Sequence, residues 1–172
     1  ILFDIILIYL WHEFLCRIER KGELIMIKYL NGDCETVDYS KNKSMRLYDN
    51  VENEEYPIHW HNAIEIIIPI KNNFTVTCGD TTYVLNEHDL LIIPPGELHY
   101  LKATPGRRLI LQLDNNAIKN NPALSSIEPL FVTPVLINSE YDKELRDFII
   151  NNAMDIYELN MRPDRMSEIY IY

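Results

Sequence analysis

Cysteine is scarce in this chain: its 172 residues hold only Cys16, Cys34 and Cys78, an odd set with no CxxC pair. Such a set argues against a disulfide framework and for a reducing compartment. Positive charge is short as well. There are 16 Lys and Arg against 26 Asp and Glu, a formal net charge of −10. An acidic chain repels phosphate backbones, so this stretch is not expected to grip DNA by itself. Long apolar runs are missing too. The richest, residues 1–11, contains Asp4 and is followed by His12-Glu13, whereas a membrane-spanning helix needs about 20 apolar residues. The same segment lacks the basic start and small-residue cleavage site of a secretory signal. A cytoplasmic protein with no membrane partner is expected. Internal repeats and low-complexity tracts are absent.

What is present is an ordinary globular composition, long enough to bury a core without disulfides or a structural metal. Residues 1–21 read as a helix, with Gly22 as its cap after Arg17, Arg20 and Lys21. A chain that starts on Ile is not expected to begin where its gene does, and Met26 would be a natural start. Segment 1–25 is a helical piece of uncertain placement: an upstream helix completing a helical bundle, or a peculiarity of the chain. From Met45 the period becomes that of strands. Met45–Tyr48, Ala63–Ile70, Phe74–Cys78, Thr81–Leu85, Leu90–Ile93, His99–Ala103, Arg108–Leu113 and Phe131–Ile137 are the expected strands, with Gly79-Asp80 as a hairpin turn. Regular short strands with polar turns imply a sandwich or barrel rather than a βαβ sheet. Ser139 reads as the N-cap of a helix running to about Asn160, and Asp164 as the cap of another. The acidic run Asp49–Glu55 reads as a solvated loop.

His59, His61 and Glu65 share parity, so on one continuous strand they would point to one face. Two imidazoles and a carboxylate converging in this way supply three ligands for a divalent ion. His99 follows the tight bend Pro94-Pro95-Gly96-Glu97-Leu98, which lets the chain double back beneath the same pocket. Trp60, of opposite parity, is expected to pack outside.

The segment His59-Trp60-His61-Asn62-Ala63-Ile64-Glu65 resembles the first cupin motif, and Pro94-Pro95-Gly96-Glu97-Leu98-His99 the second. Three positions depart from that pattern: Asn72 and His88 stand where the motifs have glycine, and Ala103 where the second has asparagine. The run from His59 through Asp89-Leu90-Leu91-Ile92-Ile93-Pro94 to His99, with a helical tail behind it, is similar to the N-terminal cupin domains of AraC-type transcription regulators. The resemblance implies a mainly β fold with an α appendage, a cupin-type double-stranded β-barrel (jelly roll) followed by C-terminal helices. It divides the chain into the helical segment 1–25, a barrel with an N-terminal arm over 26–137, and a helical dimerisation segment over 138–172. The arm is Met26–Lys43, a polar stretch able to fold over the barrel mouth. The resemblance further implies a small-molecule effector, a sugar or related metabolite, a homodimer through the C-terminal helices, and DNA contacts only through helix-turn-helix units outside this chain.

The expected pocket is His59, His61, Glu65 and His99, with Tyr83, Tyr100 and Arg108 offering hydrogen bonds to a sugar or carboxylate. The four core residues suit Zn, Ni, Fe or Mn, or serve as pocket polars for an organic effector without metal. His12 and His88 are expected on the surface. No catalytic residue is expected. The alternative is a metal-dependent cupin enzyme, a dioxygenase or isomerase, using the same four ligands. A purely structural interaction module would not need four convergent ligands.

Overall fold

A computed structural model of the chain describes residues 30–39, 44–51, 53, 55–126, 129 and 131–161. The helix expected over 1–21, residues 26–29 and 40–43 of the arm, and the helix expected after Asp164 lie outside the described residues.

A small hairpin of β1 (Leu30–Asn31) and β2 (Cys34–Glu35) precedes the body. The body consists of β3 (Met45–Asn50), β4 (Tyr56–His59), β5 (Ala63–Lys71), β6 (Phe74–Cys78), β7 (Thr81–Leu85), β8 (Leu90–Ile93), β9 (His99–Leu101), β10 (Arg107–Asp114) and β11 (Val135–Ile137). These strands form two antiparallel sheets, ordered β11-β8-β5-β10-β3 and β4-β9-β6-β7. Facing one another they make the expected jelly-roll barrel. Its interior is filled by Ile67, Phe74, Val76, Leu85, Leu91, Ile93, Leu101 and Ile110. In β6 the alternation is plain: Phe74, Val76 and Cys78 point inward while Thr75 and Thr77 face out.

β5 shows a different pattern, buried on both faces from Ala63 to Pro69 apart from half-buried Ile66. A near-continuous apolar run of that kind belongs to a strand covered on both sides. The cover comes from the tail. After the short helices α1 (Asn115–Lys119) and α2 (Pro122–Ser125), helix α3 (Lys143–Met161) lays Ile149, Ala153 and Ile156 against Leu47, Ile64, Ile68, Leu109 and Leu111. The helical stripe is thus core. A polar latch reinforces the contact: Tyr157 donates its hydroxyl to Asp49 Oδ2 (2.8 Å), and Arg107 Nε donates to Asp49 Oδ1 (2.8 Å).

Several boundaries differ from the sequence expectation. Asp49 belongs to β3 and not to a solvated loop, because its carboxylate is the centre of that latch. The cap of α3 is Asp142, whose Oδ1 accepts from Leu145 N (2.9 Å), not Ser139. The final strand starts at Val135 rather than Phe131, and β9 ends at Leu101 rather than Ala103. The two positions that replace motif glycines keep a glycine-like backbone. Asn72 (φ 64°) and His88 (φ 68°) both lie in the left-handed region, which Asn and His tolerate better than most side chains. The loop shapes survive, with His88 N donating to Pro69 O (2.8 Å) and Asn72 N to Glu87 Oε1 (2.7 Å). His88 is exposed, as expected.

Candidate ligand and metal site

His59, His61 and Glu65 do not share one strand. His59 ends β4 in the four-stranded sheet, His61 lies in the crossing between sheets, and Glu65 sits in β5 of the other sheet. The convergence comes from a change of sheet and not from parity along a single strand. The chain changes sheets at Trp60–Asn62, and the residues meet across the barrel. His99 pairs directly with His59 in the β4–β9 register. The two motifs are tied together by Gly96 N, which donates to His61 O (2.9 Å).

All four side chains are buried: His59 and Glu65 expose 2%, His61 and His99 1%. Each imidazole has its Nδ1 on a backbone carbonyl, His59 on Pro57 (2.8 Å), His61 on Ala63 (3.2 Å) and His99 on Glu97 (2.8 Å). A carbonyl only accepts, so each Nδ1 carries the proton, and in the neutral ring each Nε2 is left with a free lone pair. Ligand atoms of the three histidines lie within 4.8 Å of one another. Fixing Nδ1–H on a carbonyl is how proteins orient metal-binding histidines.

His61 Nε2 lies 3.0 Å from Glu65 Oε2. Two acceptors that close need a proton or a cation between them. Burial disfavours both charges, yet the pairing outweighs it. Glu65 is held at about 2 by His61, His99 and Gln112, and His61 is pushed above its ordinary value by Glu65. Burial lowers His59 and His99, with a neighbouring imidazole adding to the effect in each. Glu65 Oε1 and His99 Nε2 stand 3.9 Å apart. Both are buried without a hydrogen-bond partner among the described residues, as is Gln112 Oε1. Two orphaned acceptors 3.9 Å apart, beside the other imidazoles, fit a cation better than they fit an empty protein interior. His59, His61, His99 and Glu65 would hold it, and its chemistry there would be that of a Lewis acid polarising a bound oxygen ligand.

Two contributors were not foreseen. Gln112 of β10, directly opposite Glu65 in register, donates Nε2 to Glu65 Oε2 (2.9 Å) and orients the carboxylate. Glu35 of β2 brings a second carboxylate, Oε2 lying 3.7 Å from His59 Nε2 and 3.4 Å from Gln112 Nε2. Burial raises Glu35, and Glu65 adds to the rise against the pull of His61 and His59. The inward parity of Gln112 on its strand was readable, but nothing in the sequence placed Glu35, 77 residues away, beside Gln112.

The lesser candidates fall elsewhere. Tyr100 is corrected: next to inward His99, it points out and donates its hydroxyl to exposed Glu55 (2.7 Å). Tyr83 packs against the barrel interior from β7. Arg108 is buried on the inward face of β10, four residues from Gln112 and so about 13 Å along the strand. It stacks 4.1 Å from the Phe74 ring and donates to Thr104 O (3.2 Å). It lines the opposite end of the interior from the histidines. Trp60 is part-exposed outside the barrel, as its parity implied. Among the described residues no helix is long and apolar enough to cross a membrane.

The family model of the AraC-like ligand binding domain matches residues 43–150. Among curated proteins none matches this chain. Solved structures similar to it include an RmlC-like cupin from Shewanella frigidimarina, at 18% identity and a TM-score of 0.37, covering 41% of this chain and 67% of that one. An RmlC-like cupin from Methanocaldococcus jannaschii matches at 16% identity and TM-score 0.36, over 45% and 74% of the two chains. Oxalate decarboxylase from Bacillus subtilis, whose Mn(II) centers that structure concerns, matches at 22% identity and TM-score 0.34, over 44% of this chain and 22% of that one.

Proposed function

The chain belongs to the AraC-like ligand binding domain family, and on that premise we propose that it senses a small polar molecule for a bacterial transcription regulator. The observation that carries this is a buried polar centre of three histidines and Glu65 at one end of the barrel, beside a hairpin that belongs to the arm. A ligand that prefers one arrangement of arm, barrel and helix shifts the population toward it, and an attached DNA-binding unit reads the shift. A sugar or related metabolite suits the centre, since its hydroxyls can satisfy acceptors on the histidines and Glu65 or bind through a resident Zn, Ni, Fe or Mn ion. Pairing of two copies through the helical tail belongs to the same proposal. Because the apolar stripe of α3 is spent on its own sheet, the contact would use the helix's remaining face. Work in the cytoplasm fits this role.

The second reading, a metal-dependent cupin enzyme, is favoured by the three converging Nε2 atoms and Glu65. Thermal-shift titration with divalent ions, sugars and small organic acids separates the two. A ligand at 100 times its Kd stabilises the chain by about 2.7 kcal/mol. The sensor is expected to show such a shift, lost in His99→Ala, with the ligand recovered unchanged. Steady conversion of the ligand to product would overturn the sensor in favour of the enzyme.

A further inference from the structure

Backbone pairing ties the arm's hairpin to the barrel at Trp60, between the two histidines. Glu35 N donates to Trp60 O (2.8 Å), Trp60 N donates to Asp33 O (2.8 Å), and Cys34 bridges Trp60 in parallel. The hairpin is thus one short strand pairing away from His59 and His61. Its inward side chain is Glu35, only 12% exposed, lying against His59 and Gln112. Further along the arm, Tyr39 buries a hydroxyl with no partner among the described residues. Glu35 and Glu65 form a pair of carboxylates on one group of imidazoles. Without a positive charge between them they repel, and the arm carries the one that can leave.

We propose that Glu35 is a ligand-site residue carried by the arm, and that a divalent cation seated among His59, His61, Glu65 and His99 holds the arm closed through it. The inference rests on the metal-site reading of the barrel and adds a regulation to it. Closure of the arm and occupancy of the site are two sides of one coupling, so each strengthens the other by the same factor. The two backbone bonds to Trp60 give little hold by themselves, since opening the arm exchanges them for bonds to water. The carboxylate–cation contact supplies the remainder.

The test uses the whole chain, stripped with EDTA and titrated with Zn2+ or Mn2+ alone. Ion affinity is read by calorimetry, and arm closure by hydrogen exchange at the Glu35 and Trp60 amides. Wild type is expected to bind the ion and to gain protection at both amides. Glu35→Gln is expected to lose about tenfold in affinity, the lower range for residues around a metal's ligands, and to show no ion-dependent protection. Glu35→Asp, one methylene shorter, should fall between. A match in melting temperature between ion-free Glu35→Gln and wild type shows that the fold is unchanged. Equal affinity and protection in wild type and Glu35→Gln would overturn the role of Glu35 while leaving the metal site in place. A loss of affinity with protection intact would overturn the coupling to the arm. Failure of wild type to bind either ion would overturn both the metal site and the role built on it.

Discussion

β5 is buried on both faces over most of its length, whereas β7, in the opposite sheet, hides little besides Leu85 and part of Tyr83. The five-stranded sheet is backed by α3 and latched to it through Asp49, Arg107 and Tyr157. On the outer face of the four-stranded sheet, Thr82 and Val84 are exposed and Thr77 bonds Thr82 (3.1 Å) there. The binding centre straddles the two. Glu65 and Gln112 stand on the backed sheet, His59 and His99 on the open one, and Glu35 on the arm. The carboxylate that anchors the centre is placed where packing is thickest, and two of its three imidazoles on the thinner sheet.

The largest effect is expected from His61→Ala. Removing the partner that holds Glu65 ionised breaks a buried pair, which costs about 3–5 kcal/mol. Urea unfolding of the ion-free variant should show that loss. A cost under 1 kcal/mol would mean that Glu65 is not held by His61. On the backed sheet, Ile149→Ala opens a cavity between helix and strands and should cost about 3 kcal/mol by the same measurement.

Acid separates the two halves of the centre in the ion-free chain. His59 and His99 are lowered in the fold, so the unfolded chain takes up their protons first, and stability falls as pH drops below about 6.5. His61 acts with the opposite sign. Its folded value is raised, and its contribution is lost as pH rises through that value. Glu65 is lowered from 4.5 to about 2, so its contribution is present above 4.5 and disappears as pH falls toward 2. Melting temperature against pH should therefore drop in two stages, and Glu65→Gln should remove the lower one. The smallest effect is expected at the open face. Val84→Ala, at a position 56% exposed, should change stability by no more than about 0.5 kcal/mol. A larger loss would mean that this face is covered in solution.

The body of the barrel was legible because alternation and turn residues are local. Phe74–Cys78, Thr81–Leu85 and Leu90–Ile93 coincide with their strands, and the two motifs named all four central residues. The failures share one cause. The switch between sheets at Trp60–Asn62, the pairing of Gln112 with Glu65, and the approach of Glu35 are contacts between segments distant along the chain, which no local period encodes. Tyr100 was a different kind of miss. Strand parity next to His99 turns it outward, where its hydroxyl meets Glu55. Asp49 was hidden because an acidic run looks the same whether one member is latched to a helix or none is.

Sensing and arm closure both depend on His59, His61, Glu65 and His99 forming one binding centre. Anomalous diffraction from crystals of the chain grown with Zn2+ or Mn2+ tests this most directly. A single peak bounded by the three Nε2 atoms and the Glu65 carboxylate is the expected result. Well-diffracting crystals with no peak there, or with the ion bound only at surface carboxylates, would contradict it.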